Sequence, residues 1–172
     1  MLPIVSTFKT PFGLLEVAFD EQHLLRSAFK GATREENTSH PAQLNVPVSA
    51  DNQSISQAAR NFHQLIFDEL AAYFQNPKHR IQIPLKPHGS AYQLSIWNAL
   101  LVIPSGRTMT YGELAIRMQT SPRAVGQACK NNPLPLFIPC HRVVGKTSYG
   151  GYMGNKDALC YKLALLNHEG KP

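Results

Sequence analysis

Cys140, His141 and Arg142 are consecutive within an apolar, proline-punctuated stretch that runs from Asn131 to Gly145. A thiolate is a strong nucleophile, and a base or a cation beside the thiol helps it to form. His141 and Arg142 offer both. Burial as an inert structural thiol is the commoner fate of a cysteine in an apolar run, so the neighbours decide the matter. Pro139 disfavours helix at Ile138, which makes an extended approach to Cys140 the expectation. Consecutive side chains of an extended chain point to opposite faces, so a water relay is expected between Cys140 and His141 rather than a direct bond. A histidine acting as base needs a third group to orient it. Glu169 is the candidate. It follows Leu165-Leu166-Asn167-His168 in the last turn of a helix, where the dipole disfavours an anion, and Leu159, Leu163 and Leu166 form the expected inward face of that helix.

A second group has the spacing of a contact surface. Arg123, Gly126, Gln127 and Lys130 fall on one side of a helix, with Ala124, Val125, Ala128 and Cys129 on the other. A mid-helix glycine costs about 1 kcal/mol against alanine, and Arg123 sits in the first turn, where the dipole disfavours a cation. Two local violations on one face suggest a binding face; the alternative is a plain solvated one. Ser121-Pro122 opens this helix with an N-cap residue and proline at the first helical position. Just upstream, Thr110-Tyr111-Gly112-Glu113 fits a capping box, and Leu114, Ala115 and Met118 point inward. Two short helices joined by three or four residues make a helix-turn-helix pattern.

The rest of the chain must position these groups. The length of 172 residues suits one ordinary domain or two small ones, and 43% hydrophobic content supports a real core. No apolar run approaches the roughly 20 residues of a membrane span. The start has no basic region followed by an apolar stretch, so no secretory signal is expected, and three cysteines with no disulfide framework point to a reducing, cytoplasmic setting. The net charge of +6 is uneven: residues 1–85 carry seven basic and eight acidic side chains, residues 86–172 ten and three. A basic half beside a neutral one suggests a polyanion partner such as nucleic acid, with solubility as the plainer explanation.

Residues 4–30 have strand character, with Pro11-Phe12-Gly13 as a turn. Residues 31–53 are polar and turn-rich, a long exposed loop. A helix begins at Ser54 with Ala58, Phe62, Leu65, Ile66, Leu70 and Tyr73 inward, and a short strand is expected at Ile81-Gln82-Ile83. The Pro84–Gly89 stretch is the domain boundary. It divides the chain into residues 1–86, a small α/β domain, and residues 87–172. The second part opens with a helix from about Ser90, whose apolar face is Tyr92, Ile96, Trp97, Leu100 and Leu101. The fold class is α+β.

The string Pro139-Cys140-His141-Arg142-Val143 resembles the signature of the O6-alkylguanine-DNA alkyltransferases, also called methylated-DNA–protein-cysteine methyltransferases. Arg123-Ala124-Val125-Gly126, Asn132-Pro133 and Leu165-Leu166-Asn167-His168-Glu169-Gly170 stand at family-like places. So do Trp97, Ile103-Pro104-Ser105-Gly106 and Tyr111-Gly112-Glu113-Leu114-Ala115. The resemblance is strong over residues 89–170 and loose over the first 85, where Thr10-Pro11-Phe12-Gly13 and the later helix carry it.

The resemblance implies a ribonuclease-H-like amino-terminal domain and a mostly helical catalytic domain whose helix-turn-helix enters the minor groove of double-stranded DNA. It implies direct-reversal repair. The alkyl group of O6-alkylguanine, and of O4-alkylthymine, passes irreversibly to Cys140 in a single turnover, with no cofactor and no metal. Cys140, His141, Glu169, Tyr111 and Asn132 would form the catalytic set, Asn132 bracing the recognition helix against the active-site segment. Arg123 would fill the space of the extruded nucleotide, with Tyr111, Gly126, Gln127, Lys130 and Ser121 also facing DNA. Tyr152, Met153 and Gly154, together with Val143 and Cys129, would line the alkyl pocket. The protein would act as a monomer, with cooperative binding along DNA a family possibility.

This sequence departs from the family pattern in three places. Ser121-Pro122 opens the recognition helix where many members have small residues. The Tyr-x-Gly-Gly loop appears as Tyr152-Met153-Gly154-Asn155, followed by about three extra residues. No cysteine precedes Cys129, so the zinc site of some human-like members is not expected. The competing function is a lesion-binding protein without transfer activity, a kind of member that lacks the cysteine; a thiol hydrolase of another fold would need neither the helix facing DNA nor the basic half.

Overall fold

The computed structural model describes residues 2–30, 55–154 and 158–170. The loop expected at residues 31–53 and the extra residues after Gly154 lie outside these. The chain forms two compact units, Met1–Pro87 and His88–Pro172.

In the first unit, strands β1 (Ile4–Thr10), β2 (Gly13–Phe19) and β3 (Leu24–Lys30) form an antiparallel sheet in that order. Thr10 pairs with Gly13 across the first turn. The Thr10 hydroxyl donates to the Gly13 carbonyl (2.7 Å) and accepts from the Phe12 N–H (3.2 Å), and Gly13 sits at φ 121°, where a side chain is disfavoured. Phe8, Leu15, Val17 and Phe19 alternate onto the buried face. On β3 the alternation breaks. Ala18 pairs with Arg26 but Phe19 with Leu24, so Leu25 is an extra residue in a β-bulge. That slip lets both Leu24 and Phe29 face the core.

Helix α1 (Gln57–Gln75) covers this face. Its N-cap is Ser56, whose side chain accepts from the Ala59 N–H, so the helix begins later than the expected Ser54. Its buried stripe is Ala59, Phe62, Ile66, Leu70 and Tyr73; Ala58 is exposed and Leu65 half-buried. Phe62 meets Phe19, and His63 stacks on Phe8 while bonding the Ser6 hydroxyl at 2.9 Å. The strand expected at Ile81–Ile83 is absent. The Gln82 N–H bonds the Glu69 carboxylate (2.7 Å) instead of a strand, and pairing resumes only where Leu85 meets Leu24.

The second unit is mostly helical: α2 (Ala91–Leu101), β4 (Met109–Thr110), α3 (Tyr111–Arg117), α4 (Pro122–Lys130), a 3-10 turn at Cys140–Arg142, β5 (Val143–Val144) and α5 (Leu159–His168). Ser90 with Gln93, and Thr110 with Glu113, form capping boxes. On α2 the buried side chains are Ile96, Trp97 and Leu100. Tyr92 leaves that face in the first turn and bonds Thr120 through its hydroxyl at 3.2 Å. The Trp97 indole N–H donates to the Ala128 carbonyl at 3.0 Å, fastening α4 to α2. β4 and β5 pair in parallel, Met109 with Val143 and Thr110 with Val144, which brings the start of α3 beside the active-site turn. No helix among the described residues is long and apolar enough to cross a membrane.

Candidate active site and nucleic-acid interface

Helix α3 ends in a Schellman motif. The Thr120 N–H reaches the Ala115 carbonyl (2.9 Å), the Gln119 N–H reaches Ile116 (3.2 Å), and Gln119 takes the left-handed conformation at φ 52°. The chain then re-enters helix at once, because the Ser121 side chain caps the Ala124 N–H and Pro122 occupies the first turn. On α4, Val125, Ala128 and Cys129 are buried and Ala124 is half-buried. Ser121, Arg123, Gln127 and Lys130 are exposed, with Gly126 between the two classes. A Cβ on Gly126 would meet the Tyr111 ring at an ordinary 3.9 Å, so the fold itself does not demand glycine there.

A cavity of about 590 Å³ opens beside this helix. Arg123, Gly126, Cys129 and Lys130 line it from α4, Tyr111 from α3, and Cys140 from the 3-10 turn. The opposite wall is Gly151, Tyr152, Met153 and Gly154. That wall is shaped by two glycines at positive φ. A side chain on Gly150 (φ 71°) would collide with the Tyr111 ring, and one on Gly154 (φ 68°) with the stem of Lys130. Ser121, Gln127 and Asn132 are outside the lining. Val143, expected in the pocket, is fully buried behind it, and its carbonyl accepts from Lys162.

The approach to Cys140 is not extended. The Ile138 N–H bonds the Leu134 carbonyl (2.8 Å), Leu136 sits at φ 78°, and the Arg142 N–H closes the 3-10 turn onto Pro139 (3.0 Å). Pro139 excludes helix before it, but a tight turn satisfies the same constraint. Successive side chains of a 3-10 turn point roughly a third of a circle apart, so Cys140 faces the cavity while His141 faces the interior. Asn132 holds the thiol in place: its Nδ2 donates to Cys140 Sγ (3.1 Å) and to the Ile138 carbonyl (2.8 Å), and its Oδ1 accepts from the Leu134 N–H (3.0 Å).

His141 Nε2 lies 2.9 Å from Glu169 Oε1, both side chains fully buried. With that nitrogen donating to the carboxylate, Nδ1 is the free acceptor, and it has no protein partner. Arg142 does not serve Cys140. It grips Glu169 through Nε (3.0 and 3.2 Å) and Nη2 (2.8 Å), and its Nη1 donates to the Ile103 carbonyl (2.6 Å). This pairing offsets the unfavourable dipole at the end of α5. Although burial opposes its charge, the hydrogen bonds from His141 and Arg142 hold the Glu169 carboxyl well below the usual range.

Burial pushes the Cys140 thiol up, opposed by the Asn132 hydrogen bond and by Lys162. The resting group is a thiol that must lose its proton. Burial pulls His141 down despite Glu169, so the imidazole is neutral and able to accept one. Burial also raises the Tyr111 phenol, which stays protonated as a donor, and pushes Cys129 up to about 12.

Lys162 escaped the sequence reading. The buried face of α5 is Tyr161, Lys162, Leu165 and Leu166; Leu159 and Leu163 are only half-buried. Lys162 has no exposed surface, and its ammonium donates to the carbonyls of Val143 (2.6 Å) and Gly151 (3.2 Å). Its spacing from Leu165, Leu166 and Glu169 puts it on their face, and that is the signal by which it could have been found.

These features define an α+β protein with two short helices joined by a tight turn, one with an exposed face carrying Arg123 and Lys130, and a buried cysteine opening into a cavity beside them. Residues 4–87 match the 6-O-methylguanine DNA methyltransferase ribonuclease-like domain, and residues 91–171 the DNA binding domain of the same enzymes. A methylated-DNA–protein-cysteine methyltransferase of Methanosarcina acetivorans is 34% identical over 96% of this chain and 97% of its own. The constitutive enzyme of that name from Bacillus subtilis is 32% identical over 95% and 93%. The crystal structure of the Mycobacterium tuberculosis OGT in complex with DNA superposes with a TM-score of 0.71 at 30% identity, covering 96% of this chain and 92% of that one. The chain belongs to the 6-O-methylguanine DNA methyltransferase family of DNA repair enzymes, the methylated-DNA–protein-cysteine methyltransferases.

Proposed function

We propose that this protein reverses alkylation damage in duplex DNA by moving the alkyl group of O6-alkylguanine, and of O4-alkylthymine, onto Cys140. The observation that carries the reading is the placement of Cys140 in the cavity wall, its Sγ bonded by Asn132, next to His141, whose ring bonds the Glu169 carboxylate that Arg142 also holds. His141 takes the thiol proton at Nδ1 through a water, and Glu169 stabilises the imidazolium. The thiolate displaces at the alkyl carbon, the C–O6 bond breaks, and Tyr111 protonates the departing base.

The target atom is inaccessible inside a duplex, so the nucleotide must flip into the cavity at a cost of a few kcal/mol. Arg123, exposed at the cavity edge, fills the space it leaves. Ser121, Gln127 and Lys130 are presented on the same side for DNA, with α4 in the minor groove and the protein acting as a monomer. The thioether has no ready route back, so each molecule acts once.

Incubation with duplex carrying labelled O6-methylguanine, followed by intact-mass measurement, tests this. One methyl per protein is expected, on Cys140. Cys129→Ser and Cys160→Ser should still accept it and Cys140→Ser should not, while retaining duplex binding. Label on Cys140→Ser would overturn the assignment; binding without any transfer by the wild-type protein would favour a lesion-binding role.

A further inference from the structure

Cys129 is a buried thiol that the mechanism above makes no use of, and it lines the same cavity as Cys140. It comes from α4 and Cys140 from the 3-10 turn, and one residue ties the two together. The Asn132 N–H donates to the Cys129 carbonyl (3.3 Å), while the Asn132 Nδ2 donates to Cys140 Sγ (3.1 Å). Ala128, just before Cys129, is pinned by the Trp97 indole, so the α4 end of the pair is fixed as well. The third cysteine, Cys160, is exposed on α5 and outside the cavity lining. Tyr111 and Lys130 are the oxygen and nitrogen nucleophiles of the lining. Burial keeps the Tyr111 phenol protonated, and sulfur attacks a saturated carbon better than oxygen or nitrogen does. A cavity with two thiols can do something that one thiol cannot. An alkyl group whose second carbon carries a leaving group stays electrophilic after the first sulfur has taken it, because the thioether sulfur assists that group's departure.

We infer that Cys129 is a second covalent site: once Cys140 has taken a two-carbon group bearing a leaving group, Cys129 attacks the second carbon and closes an ethylene bridge between the two sulfurs. The inference rests on the transfer reading above and extends its substrate class to such two-armed adducts. The first step is the one given for methyl: the Cys140 sulfur bonds the first carbon and the C–O6 bond breaks. In the second, the Cys129 sulfur bonds the second carbon, the carbon–halogen bond breaks with its electron pair leaving as halide, and the Cys129 proton passes to solvent. No oxidant or reductant is needed. A disulfide would demand sulfurs about 2.05 Å apart, and two carbons between them relax that demand. Tethering on Cys140 makes the second step intramolecular, which offsets the weak ionisation of a thiol that burial pushes up to about 12. The second electrophilic carbon thus ends on the protein and not on the base.

The probe is ethylene dibromide, which presents two such carbons and needs no DNA. The intact protein is treated with it and read by intact mass and tryptic mapping. Lys130 lies between the two cysteines in the chain, so trypsin puts them on separate peptides, and the bridge shows as a linked pair carrying one ethylene and no bromine. Wild type should give the linked pair, in a share that grows as pH rises, and Cys160→Ser should give it too. Cys129→Ser should lose the linked pair and carry a hydroxyethyl group on Cys140, the product of water attack. A parallel incubation with duplex carrying O6-methylguanine reads transfer. A wild-type protein with no linked pair, whether Cys140 carries hydroxyethyl or stays unmodified, would overturn the inference, as would a linkage that survives Cys129→Ser. A protein that forms the bridge yet takes no methyl from duplex would overturn the transfer reading alone; one that takes methyl and forms no bridge would overturn this inference alone.

Discussion

Replacing Arg142 with Met removes three contacts to Glu169 and the bond to the Ile103 carbonyl, leaving a carboxylate with no exposed side-chain surface and without its guanidinium partner. Breaking a buried pair in this way costs about 3–5 kcal/mol, because the remaining charge is uncompensated. With a urea m-value of about 1–3 kcal/mol/M, the unfolding midpoint should fall by more than about 1 M. The pH dependence should change sign as well. In the wild type Glu169 is held below the ordinary carboxylate range, so its contribution is complete above about pH 4 and is lost as pH falls towards the folded value. Without Arg142, burial, the largest influence on this carboxyl, is expected to outweigh the His141 hydrogen bond and carry the carboxyl above its unfolded value. The folded state then binds the extra proton, and the variant should gain stability as pH falls from 7 to 5 while the wild type does not. Adding Glu169→Gln should return part of the loss, since it removes the buried charge. Urea titrations at pH 7 and pH 5 on the single and double variants measure all of this. A loss below about 1 kcal/mol, the worth of an exposed pair, or a double variant with strictly additive losses, would refute the reasoning.

Arg123→Ala should slow transfer from duplex far more than transfer from free O6-benzylguanine, because only the duplex requires extrusion; equal slowing in single-turnover assays would place Arg123 in the pocket or the fold instead. Asn132→Ala removes the donor to Cys140 and two backbone braces, so it should cost about 1–3 kcal/mol in unfolding free energy and slow iodoacetamide alkylation of Cys140 at neutral pH. Unchanged thiol reactivity would show that the 3.1 Å bond does not stabilise the thiolate.

The parts most legible in the sequence are those dictated by neighbours a few residues away. The Thr110–Glu113 box and the Ser121-Pro122 start are local hydrogen-bond devices, and both stand where their spacing puts them. The faces of α4 follow from helical periodicity alone. What escaped depends on distant groups. Ile81–Ile83 has strand composition, yet Glu69, thirteen residues away from Gln82, takes the N–H a ladder would use. The bulge at Leu25 is a register choice made between strands. Pro139 constrains one residue's conformation and cannot distinguish an extended chain from a 3-10 turn. Arg142 stands next to the cysteine and its histidine, which suggested a shared role, whereas the turn sends its guanidinium to Glu169. Lys162 was hidden by the assumption that lysine means solvent.

Trp97 is the only tryptophan of the chain, and its indole is anchored to the carbonyl of Ala128, the residue before Cys129 in the cavity wall. The chromophore therefore reports from the core side of the helix whose other face is exposed and borders the cavity. Tryptophan emission responds to the polarity around the ring and to the strength of its N–H bond, so the protein's intrinsic fluorescence is a readout of a single locus and needs no attached dye. A substitution at the cavity and an adduct on the Cys140 sulfur would act on α4 from the cavity, and under the proposed function a bound duplex would act on its exposed face. All three converge on one optical signal that requires no deconvolution among several rings of the same kind.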